Sequence, residues 1–439
     1  MSESVALIII FALFFLLLVL GQQISTVLFT TGIVGIFLYG GSGALTGILQ
    51  LEPYTRVASY ALTTIPLFIL MAEFIIYSDI VKYLYHLLFR MSRGKPGILG
   101  GFTIVLGGFL GAVSGSSSAI SAALGQISVP ELTKRGYRED LAGAIAATAG
   151  CLATIIPPTI GLIIYGAITQ TPVGQLFMAS VIPGIITVVV LVITTLIFFR
   201  MTRVKVNGET GTVPSEVKED IPASKIVISL IASFFIMSVV FFGIYSGIFT
   251  PTEAGGAGAF ISLIAAACLG KVNFSFIKKS LVSTVKITTM VLMVMIGAQV
   301  FAKFISLSML PRKLIALLEP LTSTPVLVIG LLLLTFFILF MFMEGAAVLL
   351  MAVPITLPIA QMVGIDALEF GILISLVGSA GLLTPPVGMA VYAVAGVTKI
   401  SIERLFRFGM IYAIVITVVV IPVILIFPEL ITWLPDTMK

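Results

Sequence analysis

Charged residues are scarce in this sequence. Asp, Glu, Lys and Arg make up 10% of its 439 residues, against roughly 25% in soluble globular proteins. Hydrophobic residues make up 59%, so too little polar sequence remains to cover the surface of a soluble fold. Apolar runs recur from end to end, each about 15 to 25 residues long and thus near the length that crosses a bilayer. The sequence therefore predicts an all-α polytopic membrane protein that lies in a lipid bilayer.

The residues that catalysis and disulfides require are also few. The only histidine, His86, lies in a mixed segment at 79–95, which is predicted to lie along the membrane interface. There is no His-Glu-x-x-His motif and no pair of intramembrane acids, so an intramembrane enzyme is only a remote alternative. Both cysteines, Cys151 and Cys268, lie in apolar segments, and we expect no disulfide. The net charge of +5 falls in loops, which predicts no nucleic-acid partner.

The chain divides into two hydrophobic halves. Residues 201–223 form the one long polar segment, which predicts a cytoplasmic linker between a first half at 1–200 and a second half at 224–439. Uninterrupted spans are predicted at 5–20, 24–49, 57–78, 176–199, 224–248, 255–270, 281–302 and 405–431.

Two double prolines interrupt apolar segments that otherwise predict helix. Pro157-Pro158 lies inside the segment 141–168, and Pro385-Pro386 lies inside 369–397. Proline removes a backbone donor and clashes with the preceding turn, so each pair should break its helix. In a bilayer, a broken helix is tolerated only where protein buries the freed backbone groups or where these groups line a polar cavity. A pair of such breaks points to the binding site of a transporter.

Two further segments predict re-entrant helical hairpins. The first, at about 97–132, has two short apolar arms joined by Ser114-Gly-Ser-Ser-Ser118. The second, at about 324–362, also has short arms and is interrupted at Glu344-Gly345. Each pattern predicts a hairpin whose polar tip lies at membrane depth.

The interruptions recur at a fixed offset of 228 residues. At this offset Gly or Pro matches itself six times within a window of about 40 residues, whereas composition gives roughly half a match by chance. The matched pairs are Pro130 with Pro358, Gly136 with Gly364, Gly143 with Gly371, Gly150 with Gly378, Pro157 with Pro385 and Pro158 with Pro386. The two halves are therefore predicted to be repeats of one unit.

Equivalent loops of the two halves differ in charge. Residues 134–138 carry three bases, whereas the equivalent 364–369 carry two acids; residues 169–177 are uncharged, whereas the equivalent 398–407 carry three bases. Because basic loops favour the cytoplasmic side, equivalent loops should lie on opposite sides of the membrane. The sequence thus predicts inverted-topology repeats, with the first hairpin entering from the cytoplasm and the second from outside.

The chemistry that this pattern favours is binding and not catalysis. Unwound carbonyls, hydroxyls and carboxylates suit Na⁺, and half-helix N-termini suit an anionic substrate. The candidate Na⁺ ligands are Ser114, Gly115, Ser116, Gly150, Thr154, Pro157, Glu344, Gly345, Gly378, Thr384 and Pro385. The candidate substrate contacts are Ser116, Ser117, Thr159 and Gly388. Glu344 should face a cation, another partner or backbone donors, because an exposed charge in an apolar run costs roughly 3 kcal/mol or more.

Each of these features also has a structural explanation. The double prolines are also consistent with packing kinks, and the serines of the first tip with close packing of small residues between helices. Glu344 is also consistent with a helix cap.

Several motifs resemble a known family, the large membrane subunit (DctM type) of the TRAP (tripartite ATP-independent periplasmic) transporters, and the resemblance covers essentially the whole chain. They are Gly111-Ala-Val-Ser-Gly-Ser-Ser-Ser-Ala119, Val129-Pro-Glu-Leu-Thr-Lys-Arg-Gly-Tyr137, Ile155-Ile-Pro-Pro-Thr159, Gly243-Ile-Tyr-Ser-Gly-Ile-Phe-Thr-Pro-Thr-Glu-Ala254 and Leu383-Thr-Pro-Pro-Val-Gly388. The resemblance implies an elevator-type carrier in the bacterial inner membrane, in which a mobile transport domain moves against a scaffold.

The resemblance also implies a cargo and partners. These are Na⁺ as the coupling ion, a small organic acid such as a C4-dicarboxylate or sialic acid, a small membrane subunit on a separate chain, and a periplasmic binding protein that delivers the acid. A Na⁺/dicarboxylate carrier that works without a binding protein is the alternative, since it would share the inverted repeat and the interrupted helices.

Overall fold

The protein is helical throughout the part that its computed structural model describes, residues 3–92, 95–202, 221–318 and 324–438. Within those ranges there is no strand. Seven helices there are long and apolar enough to cross a membrane, and a pair bent by 59° near residue 79 would add an eighth. These features confirm the predicted all-α membrane class. Most of the predicted linker at 201–223 lies outside the described residues.

Nine of the described α-helices lie in the first half and eleven in the second. The first half contains α1 (Glu3–Val19), α2 (Ile24–Val57), α3 (Thr64–Tyr77), α4 (Ile80–Met91), α5 (Pro96–Ser114), α6 (Ser117–Lys134), α7 (Glu139–Cys151), α8 (Ile160–Thr169) and α9 (Val173–Thr202). The second half contains α10 (Ala223–Tyr245), α11 (Pro251–Cys268), α12 (Phe274–Leu307), α13 (Leu310–Leu318), α14 (Pro325–Phe342), α15 (Gly345–Met362), α16 (Ala367–Gly381), α17 (Met389–Thr398), α18 (Ile402–Val415), α19 (Ile421–Ile426) and α20 (Glu429–Asp436).

Equivalent elements share their length and their unusual backbone conformations. Helices α6 and α15 both have 18 residues, and α8 and α17 both have 10. The Pro157–Pro158 and Pro385–Pro386 peptide bonds are both cis. Gly136 and Gly364, which stand at the offset of 228, both have positive φ, 87° and 89°, a conformation that favours glycine. The repeat found in the sequence thus recurs in local structure.

The arms of both hairpins are longer than their description as short predicts. Helix α5 has 19 residues and α6, α14 and α15 have 18 each, so at 1.5 Å per residue each arm is about 27 Å long. That length is close to a full crossing of the hydrocarbon core. The re-entrant path of the two hairpins therefore stays a prediction that the lengths of their arms do not support.

The helices form two groups. The scaffold group consists of α1–α4 and α10–α13, in which α2 packs along α12 and α3 packs along α11. The hairpin group consists of α5–α9 and α14–α20. Within it, α6 of the first half packs against α17 of the second, and α15 of the second packs against α8 of the first. Each hairpin is therefore held by the helix that follows the break in the other half.

The two basic turns lie near each other. Arg404 at the start of α18 pairs with Glu139 at the start of α7 at 3.2 Å, so the turns at these helix starts are neighbours. The uncharged turn at 169–177 likewise lies near the acidic turn at 364–369, since Tyr165 near the end of α8 donates a hydrogen bond of 2.6 Å to the carbonyl of Ala367, the first residue of α16. The sides of the membrane on which these turns lie stay a prediction.

The contact between α5 and α7 depends on a glycine. A Cβ atom at Gly107 would lie 2.5 Å from the carbonyl oxygen and 2.6 Å from the carbonyl carbon of Ala149, and backbone atoms cannot turn aside. We expect Gly107→Ala to destabilise the protein by about 1 to 3 kcal/mol, as overpacking does. The measurement is the thermal unfolding midpoint in detergent. Gly396→Ala in α17 is the control, because nothing lies within 4 Å of its Cβ position; equal midpoints for the two variants would contradict this account of the packing.

Candidate functional site

Both hairpin tips and both broken helices meet at one cavity of about 370 Å³. The cavity lies between the two groups of helices. Helices α3 and α12 of the scaffold group form one wall, and residues from both hairpins, both breaks and the helices that follow the breaks form the other. The hairpin tips and the breaks, which the sequence pairs, therefore line the same cavity.

Four helices begin at this cavity, α6, α8, α15 and α17, and three of them have a polar residue at the N-cap position. Ser116 caps α6 and accepts a hydrogen bond of 3.5 Å from the N–H of Ala119. Thr159 caps α8 and accepts one of 3.1 Å from the N–H of Leu162. Glu344 occupies the N-cap position of α15 without a side-chain capping bond, and it is exposed to the cavity. Helix N-termini carry partial positive charge, so this part of the cavity favours negative groups.

The two N-cap positions of the hairpins are equivalent but chemically different. Ser116 and Glu344 stand 228 residues apart, and each begins the second arm of its hairpin. One position supplies a neutral hydroxyl and the other a carboxylate. The symmetric fold therefore carries an asymmetric site.

The breaks leave backbone carbonyls without hydrogen bonds. In the described part of the chain, no backbone or side-chain donor reaches the carbonyl oxygens of residues 153–158 or 382–387. Such carbonyls must find a partner, because an unpaired buried backbone group is costly. In unwound helices of transporters, they are the groups that coordinate small cations.

Hydroxyl groups join the two broken helices. The Thr154 hydroxyl hydrogen-bonds to the Ser379 hydroxyl and also donates to the Cys151 carbonyl at 2.8 Å. The Ser379 hydroxyl lies 3.4 Å from the same Cys151 carbonyl. Ser375, on the same face of α16 as Ser379, lines the cavity. These contacts hold the end of α7 against α16.

Sequence reasoning missed Ser375 and Ser379. A signal was present, because Ser379 stands 228 residues after Cys151. The two positions that the offset relates are thus in contact with each other in the structure.

Eight of the predicted residues line the cavity: Gly115, Ser116, Ser117, Thr154, Thr159, Glu344, Gly345 and Gly378. Of the other six, five do not line it, and the side chain of Ser114 is outside the described part of the structure. Gly150 packs against α6, where its Cβ position is 2.6 Å from the nitrogen of Ser121. The Thr384 hydroxyl donates to the Ala380 carbonyl at 2.9 Å, and the Gly388 nitrogen donates to the Met341 carbonyl at 3.3 Å. Ser114 ends α5, and Pro157 and Pro385 belong to the breaks. As ion or substrate ligands, all of these stay predictions.

A second acid in the cavity was not predicted. Glu73 on α3 is only 7% exposed and lies in the scaffold wall. With Glu344 it gives the cavity two carboxyl groups, and among the residues whose side chains are described no Lys, Arg or His lines it. No group of three or more His, Cys, Asp or Glu side chains in the described ranges is placed to hold a metal ion. A cation bound here would therefore take backbone and hydroxyl oxygens as its main ligands.

Residues 11–430 match the family model of the DctM component of tripartite ATP-independent periplasmic transporters. The chain belongs to the DctM family. It is 28% identical over 376 residues to the 2,3-diketo-L-gulonate TRAP transporter large permease protein YiaN of Escherichia coli, covering 84% of this chain and 87% of that protein. It is 28% identical over 386 residues to the sialic acid TRAP transporter large permease protein SiaM of Vibrio cholerae, covering 87% of each.

A third relative is the C4-dicarboxylate TRAP transporter large permease protein DctM of Pseudomonas aeruginosa, 27% identical over 409 residues, which cover 90% of this chain and 91% of that protein. All three relatives are permeases. Membership of this family confirms the resemblance found in the sequence motifs and the prediction that this DctM protein is a transport component and not an enzyme.

Solved structures share the fold at low sequence identity. The Alcanivorax borkumensis YdaH transporter superposes with a TM-score of 0.68 at 13% identity, covering 89% of this chain and 90% of that one. MtrF of Neisseria gonorrhoeae superposes with a TM-score of 0.66 at 14% identity, covering 88% and 85%. At such identities the likeness establishes the fold alone.

The cavity predicts which positions a water-soluble thiol reagent reaches. In a background in which the exposed Cys268 is replaced by Ser, we expect Ser117→Cys and Gly345→Cys to react with a small charged methanethiosulfonate, because both positions line the cavity. Ser379→Cys should stay unmodified, because Ser379 is fully buried. Labelling is measured by mass spectrometry of the detergent-purified protein. Equal labelling of Ser379→Cys and Ser117→Cys would show that the cavity is not bounded as described.

Proposed function

We propose that this DctM protein is the large permease of a Na⁺-coupled carrier for a small organic acid. A periplasmic binding protein delivers the acid, a separate small membrane subunit completes the carrier, and the assembly lies in the bacterial inner membrane. The observation that carries the proposal is the meeting of two hairpin tips and two broken helices at one cavity between the two groups of helices.

The relatives support an organic acid as cargo. By their names, YiaN serves 2,3-diketo-L-gulonate, SiaM serves sialic acid and the Pseudomonas protein serves C4-dicarboxylates. All three cargoes are organic acids, although they differ in size and charge. The cap residues Ser116, Ser117 and Thr159 lie beside the N-termini of α6 and α8 and are the proposed contacts for a carboxylate.

The free carbonyls of the breaks support Na⁺ as the coupling ion. Ala153, Thr154 and Leu382 of the breaks line the cavity together with hydroxyl groups of the same wall, and Glu344 adds a negative charge. A Na⁺ ion at this wall would offset the carboxylate of Glu344. Because the bound ions and the acid attract one another, binding of each favours binding of the other, which is the basis of coupling.

The boundary between the two groups supports an elevator mechanism. Where α12 faces α15 and α8, the two groups enclose a second cavity of about 230 Å³ lined mainly by apolar side chains such as Met295, Val353 and Leu357. A loosely filled apolar boundary offers few fixed polar contacts to break. The hairpin group is therefore proposed to slide against the scaffold group, with the bound acid between them.

Uptake into proteoliposomes tests this function. With the small subunit and the binding protein present, we expect acid uptake to require an inward Na⁺ gradient, and Ser116→Leu to abolish it because the side chain would fill the substrate wall. Ser42→Leu on the exposed face of α2 is the matched control and should transport normally. Uptake at the wild-type rate without Na⁺ would refute the coupling, and full uptake without the binding protein would favour the simpler Na⁺/dicarboxylate carrier.

Membrane sidedness tests the inverted repeats. A cysteine at Arg135 should react with an impermeant reagent only from the cytoplasm, and one at Asp366 only from outside, because the two loops are equivalent but opposite in charge. The measurement is labelling of intact cells against inside-out vesicles. Reaction of both positions from the same side would end the inverted assignment.

A further inference from the structure

The scaffold wall of the cavity is apolar except for Glu73. Its other members are Ile69, Ala72 and Ile76 of α3 and Ile287, Met290 and Val291 of α12. Glu73 is buried among them, and Ser283 of α12 approaches its carboxyl group. A carboxylate in such surroundings is costly unless a partner offsets the cost. Among the described residues no cationic side chain lines the cavity, so the protein supplies only the Ser283 hydroxyl there and a bound donor group would add a second partner.

The opposite wall has the reverse character. Ser116, Ser117 and Ser118 supply hydroxyls there, and α6 and α8 begin there with their N–H groups toward the cavity. These groups favour negative charge. A carboxylate therefore has its best partners at the first hairpin tip, whereas Glu73 and, at the second tip of the same wall, Glu344 would repel it. The first hairpin tip is thus suited to an anion, and the Glu73 wall is suited to a hydrogen-bond donor.

We propose that Glu73 binds a donor group at the far end of the substrate, an ammonium or a hydroxyl, and thereby selects monocarboxylates that carry such a group over dicarboxylates. This inference rests on the proposed function, because it assigns the two ends of an organic acid to two walls of the same cavity. A dicarboxylate would bring its second carboxylate next to Glu73, where like charges repel strongly at low dielectric. An ammonium or hydroxyl instead donates to the carboxylate of Glu73.

An inorganic cation suits the Glu73 wall poorly. Hard cations gather about six oxygen ligands, but around Glu73 the wall supplies its own carboxylate and the hydroxyl of Ser283. The carbonyls of α3 and α12 are engaged within those helices. The carbonyls that are free lie at the breaks, at residues 153–158 and 382–387. The ion and the donor group of the substrate are therefore proposed to bind at different walls of the cavity.

Four acids of equal chain length test the proposal. Butyrate, succinate, 4-hydroxybutyrate and 4-aminobutyrate share one carboxylate and differ only at the far end. Their dissociation constants are measured by calorimetry on the detergent-purified full chain in NaCl. The wild type is expected to bind 4-aminobutyrate and 4-hydroxybutyrate about tenfold or more tighter than succinate, and Glu73→Gln to lose most of that preference.

The control is Glu253→Gln. Glu253 caps α11 outside the cavity, and Gln serves the same capping role, so this variant should keep the wild-type preference. Equal affinities of the wild type for succinate and 4-aminobutyrate, an unchanged preference in Glu73→Gln, or no binding of any of the four acids would overturn the proposal.

Titration with NaCl alone separates the roles of ion and substrate. Loss of Na⁺ stabilisation in Glu73→Gln without any acid would make Glu73 an ion ligand and overturn the proposal. Selective acid binding that does not depend on Na⁺, but that Glu73→Gln abolishes, would support the role of Glu73 while contradicting the Na⁺ coupling of the proposed function.

Discussion

The hydrogen bonds among Thr154, Ser379 and the Cys151 carbonyl join the two broken helices, and the site depends on them. Each break leaves backbone carbonyls without hydrogen bonds in the described part of the chain. Cys151 and Ser379, which stand 228 residues apart, meet where the two halves face each other. This contact sets one break beside the other, and Ala153 and Thr154 of the first break and Leu382 of the second line one cavity.

The remaining packing supports that contact by interlocking the halves. Helix α6 packs against α17, and α15 packs against α8, so each hairpin is positioned by the other half. A change in the helix packing of one half is therefore expected to affect the positions of both hairpin tips. The equivalence is geometric and does not extend to chemistry, because the cap positions carry Ser116 in one half and Glu344 in the other. The equivalent helices of the two halves form the walls of the cavity. The different residues at equivalent positions give parts of the cavity different charge.

Several features were predictable because they follow from local rules. The double prolines located both breaks, and the tip sequences located Ser116, Ser117, Glu344 and Gly345, which all line the cavity. Other features depend on which helices meet. The apolar sequence around Glu73 does not show that α3 places this residue opposite the hairpin wall, because an acid near the end of a span is also compatible with the membrane interface. Thr384 lies beside the second double proline, yet its hydroxyl donates a hydrogen bond to the carbonyl of Ala380, four residues earlier. Its position next to the break in the sequence does not reveal this bond.

The central claim is that the cavity between the two groups holds both cargo and ion. A density map of the assembled transporter at saturating Na⁺ and a bound organic acid tests it most directly. The account predicts the carboxylate of the acid beside Ser116, Ser117 and Thr159, and ion density within reach of the carbonyls of residues 153–158 or 382–387. Acid density in the second cavity between α12 and α15, with none between the hairpin tips and α3, would contradict it.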